Sequence, residues 1–201
     1  YYLSARTAHL LALAGERGIP TPAGLEWEAL LGYLADGYAE AEPALRPYAL
    51  YVLALSGRYV RAEALRAARQ PERLGLAGRA LTALSLEQVG ERAEAERLLA
   101  GLRNYLRVGT RSVTLSGPVE SWYYFGGDLQ AKALLLMLYR RLAPDSPITQ
   151  ALADDLLAAQ RRGTWLDTST TGWVLQAFAE YLAGSGEGEA DFRAQVRLGA
   201  T

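Results

Sequence analysis

Hydrophobic positions along the chain follow two alternating patterns. In the first, apolar residues surround almost the whole helical circumference: Leu3–Glu16, Leu45–Ser56, Leu74–Val89, Asp128–Leu142 and Thr170–Leu182, with Lys132 the one polar residue between Ala131 and Tyr139. A helix of this kind is stable only when it is covered on every side. In the second pattern the apolar residues form a single stripe: Ala23–Leu34, Ala62–Arg69, Glu91–Arg107 and Pro147–Arg161. Ile148, Leu152, Leu156 and Leu157 share one face of the last segment, while Gln150, Asp154, Asp155 and Arg161 take the other. Such helices keep one side in water.

Turn formers separate the two sets. Gly15 and Gly18 with Pro20 and Pro22 stop the first helix, Gly57, Gly90 and Pro144 stop others, and Ser146-Pro147 places a capping hydroxyl before a proline at the first helical position. The sharpest corner is Gln160–Leu182. There Gly163 permits the reversal, Asp167, Thr168 and Ser169 offer oxygens to the free N–H groups, and Trp173, Val174, Ala177, Phe178, Tyr181 and Leu182 recur on one helical face. Aligning the apolar helices on Ala8, Ala49, Ala80, Ala133 and Trp173 gives spacings of 41, 31, 53 and 40 residues, a loose αα repeat. Two segments depart from it. Arg111–Gly117 alternates through Val113 and Leu115 as a short strand or hairpin arm, followed by the aromatic run Trp122-Tyr123-Tyr124-Phe125; Asp191–Leu198 alternates after the glycine-rich stretch that starts at Gly184.

A fully covered helix following a half-covered one, repeatedly, predicts an inner layer shielded by an outer one. The expected class is all-α, an α/α toroid or, failing that, an open solenoid. Five inner and four outer helices make it an incomplete six-hairpin barrel, short by three helices on the N-terminal side, which leaves the apolar flanks of Leu3–Glu16 and Thr170–Leu182 without neighbours. The expected division is a helical domain over 1–183, a linker over 184–190 and, over 191–201, the strand that begins a following β domain, since one strand cannot stand alone. With 201 residues, half of them hydrophobic, the chain can bury a sizeable core.

Composition narrows the chemistry. A formal net charge of -1 gives no overall attraction to nucleic acid or to an anionic membrane, and no apolar run is long enough to span one. Without cysteine there is no disulfide, thiolate zinc site or thiol nucleophile within the chain. His9, the only histidine, sits in the apolar run Ala8-His9-Leu10-Leu11 and reads as structural. The start at Tyr1-Tyr2-Leu3, with no Met, reads as an excised piece, so a missing targeting signal says nothing about location.

Several stretches, in this order, resemble the thioester-containing helical domain of bacterial alpha-2-macroglobulins. They are Tyr2-Leu3-Ser4-Ala5 through Gly18-Ile19-Pro20-Thr21-Pro22, Tyr48-Ala49-Leu50-Tyr51 through Gly57-Arg58, Arg79-Ala80-Leu81-Thr82-Ala83-Leu84 with Gly90-Glu91-Arg92, Tyr124-Phe125-Gly126-Gly127-Asp128 through Leu134, and Trp165-Leu166-Asp167-Thr168-Ser169. The resemblance covers most of residues 2–182. It implies a non-enzymatic part of a large periplasmic, envelope-anchored or secreted protein that traps proteases, without a cofactor, with neighbouring β domains as partners and with no role in nucleic-acid binding or membrane insertion. The family's reactive element, a Cys-x-Glu-Gln thioester, lies upstream of anything matching Tyr1. Ser85-Leu86-Glu87-Gln88 imitates it, but a serine cannot supply the thiol and the four residues read as ordinary helix. Some bacterial members lack the cysteine. Loops at one end of the toroid would shield a thioester where one exists, and Trp122, Tyr123, Tyr124, Trp165 and Asp167 are the candidate binding surface there.

Three other readings compete. Gln160, Gly163 and Trp165 approximate the corner of squalene-cyclase-like toroids with one residue missing from the spacing; the cyclases' Asp-x-Asp-Asp is absent, and Asp154-Asp155 reads as solvated on an outer helix. An α/α-toroid glycosidase or polysaccharide lyase would need carboxylates such as Asp128 or Asp167 facing a cavity lined by aromatics. A scaffold or peptide-binding array needs no chemistry at all.

Overall fold

The computed structural model describes residues 1–118 and 127–185. Among them are nine α-helices: α1 (Tyr2–Glu16), α2 (Trp27–Asp36), α3 (Arg46–Leu55), α4 (Arg61–Ala68), α5 (Leu76–Gln88), α6 (Arg92–Arg103), α7 (Asp128–Leu142), α8 (Pro147–Ala159) and α9 (Thr168–Ser185). Between α6 and α7 lie strands β1 (Leu106–Val108) and β2 (Val113–Leu115). The class is all-α, and among the described residues β1 and β2 form one small two-stranded sheet.

The helices stop and start where side chains permit. Gly57 and Gly90 adopt φ of +74° and +83°, a conformation that other residues resist. This turns the chain so that the following N–H reaches a carbonyl five residues back: Arg58 N to Leu53 O at 2.9 Å and Glu91 N to Leu86 O at 2.8 Å. Ser146 caps α8 by accepting from Ile148 N at 3.3 Å, with Pro147 in the first turn. In α7, Asp128 lies in the first turn and Arg140 and Arg141 in the last, each matched to the helix dipole.

The odd-numbered helices contact one another in chain order, α1 to α3, α3 to α5, α5 to α7 and α7 to α9. The even-numbered ones lie against them: α2 on α1 and α3, α4 on α3 and α5, α6 on α5 and α7, α8 on α7 and β2. Every residue on which the apolar helices were aligned, Ala8, Ala49, Ala80, Ala133 and Trp173, is at most 1% exposed. Helices α3, α5 and α7 are sealed along most of their length, by Tyr48 to Leu53, Leu76 to Leu86 and Ala133 to Tyr139. At roughly 1.5–3 kcal/mol for each large apolar side chain buried, these three helices supply most of the driving force. The two terminal members of the row differ. Leu3 and Leu10 of α1 are 76% and 59% exposed, and Leu175 and Leu182 of α9 are 55% and 44% exposed.

Two boundaries shift by four residues from those read in the sequence, the others by less. Helix α2 begins at Trp27, because Gly24 at φ +87° turns the segment before it. Helix α6 ends at Arg103, so Arg107 is not helical but sits in β1, paired with Thr114. The hairpin arm expected at Val113 and Leu115 finds its antiparallel partner there, with Leu106 opposite Leu115 and Val108 opposite Val113. Leu106 and Val113 turn inward, and pairing lets them bury without leaving strand N–H groups open.

Candidate functional site

Of the candidate surface residues, Trp122, Tyr123 and Tyr124 lie outside the described residues, as do Phe125 and the predicted strand 191–198. Trp165 and Asp167 stand together in the corner between α8 and α9. The Trp165 ring is 3% exposed, donates Nε1–H to Leu156 O at 2.6 Å and stacks 6.1 Å from Phe178. Its own backbone closes on Thr171, whose Oγ1 accepts from Trp165 N at 3.0 Å and donates to Trp165 O at 3.1 Å. Asp167 Oδ1 accepts from Thr170 N at 2.7 Å and so caps α9. Between them Leu166 is forced to φ +51° and its side chain is 80% exposed. The corner fixes the entry angle of α9.

Other readings settle in the same way. Ser85 Oγ donates to Leu81 O at 2.7 Å inside α5, fully buried. Asp155 is not solvated as expected, while Asp154 keeps exposed polar contacts. Lys132 Nζ lies 2.6 Å from Asp155 Oδ2, both side chains under a fifth exposed, and Asp154 accepts from Gln150 at 3.1 Å with Arg111 3.5 Å away. A lone lysine in an apolar helix requires a buried counter-charge, and α8 brings one to α7.

The densest chemistry was not legible in any single motif. Helix α9 presents Trp173, Gln176 and Glu180, at i, i+3 and i+7, to side chains of α1, α3 and α7, and Arg141 of α7 extends the cluster to α5. Trp173 meets His9 of α1 at 5.0 Å between ring centroids and Tyr48 of α3 at 5.6 Å, and the Arg6 guanidinium lies 5.6 Å from its ring centre. Gln176 Nε2 donates to Tyr51 Oη at 3.2 Å. Glu180 takes both Nε and Nη2 of Arg141, at 2.8 and 3.0 Å, and the same guanidinium donates Nη1 to Glu87 of α5 at 3.1 Å. Arg6 also hydrogen-bonds the Tyr48 phenol, which lies 3.1 Å from His9 Nδ1. His9 Nε2 has no oxygen or nitrogen partner and lies among the rings of Tyr51 and Trp173.

Electrostatics fixes each of these groups in one state. Burial, and then the charge of Arg6, push the His9 pKa down to about 3. Burial pushes Tyr51 up to about 12 and Tyr48 well above the ordinary phenol value. Burial works against the charge on Arg141, but bonding to Glu180 outweighs it and raises its pKa. A general acid or base needs a pKa near the working pH. Here imidazole and phenols are held neutral and the guanidinium charged, as in a packing lock.

No family model, curated protein or solved structure matches the chain.

Proposed function

We propose that the chain is a non-catalytic α/α toroid, part of an alpha-2-macroglobulin-like envelope or secreted protein that encloses proteases. The junction of α1, α3, α5, α7 and α9 carries the reading: it ties the first and last odd-numbered helices together through Arg6, His9 and Trp173, while fixing each of its displaced titratable groups in one protonation state at neutral pH. A row of inner helices backed by outer ones agrees with the toroid that the sequence resemblance implies, and the exposed leucines of α1 and α9 are apolar surface that a neighbouring part of such a protein would cover. The mechanism is conformational. Cleavage of a bait segment elsewhere in the protein frees the toroid from its β-domain neighbours, and the protein closes around the protease. A thioester, where the longer protein carries one, adds covalent capture.

Of the two carboxylates named for a glycosidase, Asp167 is employed as the cap of α9 and Asp128 stands in the first turn of α7.

The test is incubation of the full-length gene product with an excess-free amount of trypsin. Enclosure predicts loss of activity on a protein substrate with activity on a small peptide substrate retained. Unchanged activity on both, or a gene product no longer than this chain, removes the trap and leaves a helical binding array. Intact mass before and after methylamine, with a free-thiol assay, then separates covalent from non-covalent capture.

A further inference from the structure

Between α2 and α4 a groove runs over α3, made of two adjoining cavities of about 430 and 490 Å³ that share Tyr38, Arg46, Glu63 and Arg66. Its apolar lining within reach of solvent is Tyr38 and Pro43, with Leu74 at one end and Tyr59, 81% exposed, at the other, above Pro47, Leu50 and Leu53 of α3, which are themselves sealed. Its rim is basic. Arg46, Arg66 and Arg73 face Glu63 and Asp36 across it, and the pairing among them is poor. Arg66 reaches Glu63 only at 3.8 Å with its side chain 73% exposed, and Arg46 spends its donors on the carbonyls of Ala41 and Ala39. Among the described residues no carboxylate is placed on Arg46 or Arg73. A guanidinium fork without a carboxylate beside an apolar trough is complementary to an anionic side chain next to an apolar one.

We propose that this groove binds an extended acidic segment of a partner protein, its carboxylates on Arg66 and Arg73 and its apolar side chains against Tyr38, Pro43 and Leu74. Side chains of an extended peptide alternate, so one set faces the apolar lining while the other reaches the rim. Helix α4, at about 12 Å long, matches roughly four extended residues, and the turn to Arg73 adds one or two more. The groove lies away from the junction around α9, and its use stands apart from protease trapping.

Fluorescence anisotropy with the 201-residue chain and a labelled Gly-Glu-Leu-Glu-Leu-Glu-Gly peptide tests it. Binding should saturate, weaken with added salt, and fall when glutamine replaces glutamate in the peptide. Arg66→Gln or Arg73→Gln alone should weaken it roughly twofold to fivefold and the double variant about tenfold, with helical circular dichroism unchanged. Arg107→Gln, on β1, should bind like the parent. Absence of saturation, equal binding of the glutamine peptide, or a double variant that binds as well as the parent overturns the proposal.

Discussion

Helices α5 and α9 read alike in the sequence, apolar nearly all round, yet they end in different surroundings. Helix α5 has α3, α4, α6 and α7 against it, and Leu76 to Leu86 are sealed. Helix α9 has α7 along its length and meets α1 and α3 through Trp173 and Gln176, leaving Leu175 and Leu182 in contact with water. Periodicity reports what a helix is able to bury. Whether it does so depends on which neighbours the chain supplies. The two also differ in the kind of contact: α5 is held mainly by non-directional apolar packing, whereas α9 adds rings, a guanidinium and carboxylates whose geometry specifies one arrangement.

The comparison can be broken most severely from the centre. Leu84→Ala empties a fully buried site in α5 and should cost about 2–5 kcal/mol of stability, and Trp173→Ala should cost about 3–5 kcal/mol by removing the anchor that joins α9 to α1 and α3. Chemical denaturation measures both. A Trp173 variant as stable as the parent would mean that α9 is held by α7 alone.

Acid sharpens the same point. His9 is neutral in the folded chain down to about pH 3, while the ordinary value is 6.5. Below pH 6.5 the unfolded chain takes up a proton that the folded chain refuses, so stability present above that pH is lost as pH falls toward 3. The slope from this one group is about 1.4 kcal/mol per pH unit. His9→Phe should flatten the pH dependence of the unfolding free energy by about that amount; parallel curves for variant and parent would show that His9 is not buried.

Arg141→Gln leaves Glu87 and Glu180 without their shared partner. Their side chains are 27% and 24% exposed, so water softens the loss, which should be about 1–3 kcal/mol. The smallest effects belong to the open faces. Leu10→Ala and Leu175→Ala should each change stability by no more than about 0.5 kcal/mol. A larger loss, accompanied by a change in solution mass, would show these faces covered by a second molecule.

Much of the layered arrangement was legible because covered and half-covered helices differ in pattern, and because Gly57, Gly90 and Ser146-Pro147 act through local backbone geometry. Strand β1 was not, since Leu106, Arg107 and Val108 continue the amphipathic spacing of α6 and only pairing with β2 draws them out of a helix. The lock around α9 was legible in part. Lys132 and Arg141 stand in an otherwise apolar helix, which calls for acidic partners, but nothing local says that these are Asp155, Glu87 and Glu180. Trp165 and Asp167 attract notice as a corner motif, and their chemistry is spent within it on Leu156 and Thr170. The groove over α3 depends on arginines contributed by three separate segments, a juxtaposition without a sequence signature.

The central claim is that the first and last odd-numbered helices meet. Because the chain has no cysteine, Thr7→Cys and Gly172→Cys can carry a pair of spin labels on exposed sites beside the contact of Arg6 with Trp173. A β-carbon at Gly172 has ordinary room, 3.6 Å from Arg6 Nη2. Dipolar broadening of the doubly labelled spectrum relative to the two single variants is the predicted result, lost when Trp173→Ala is added. A doubly labelled spectrum equal to the sum of the single ones would separate α1 from α9 and contradict the account.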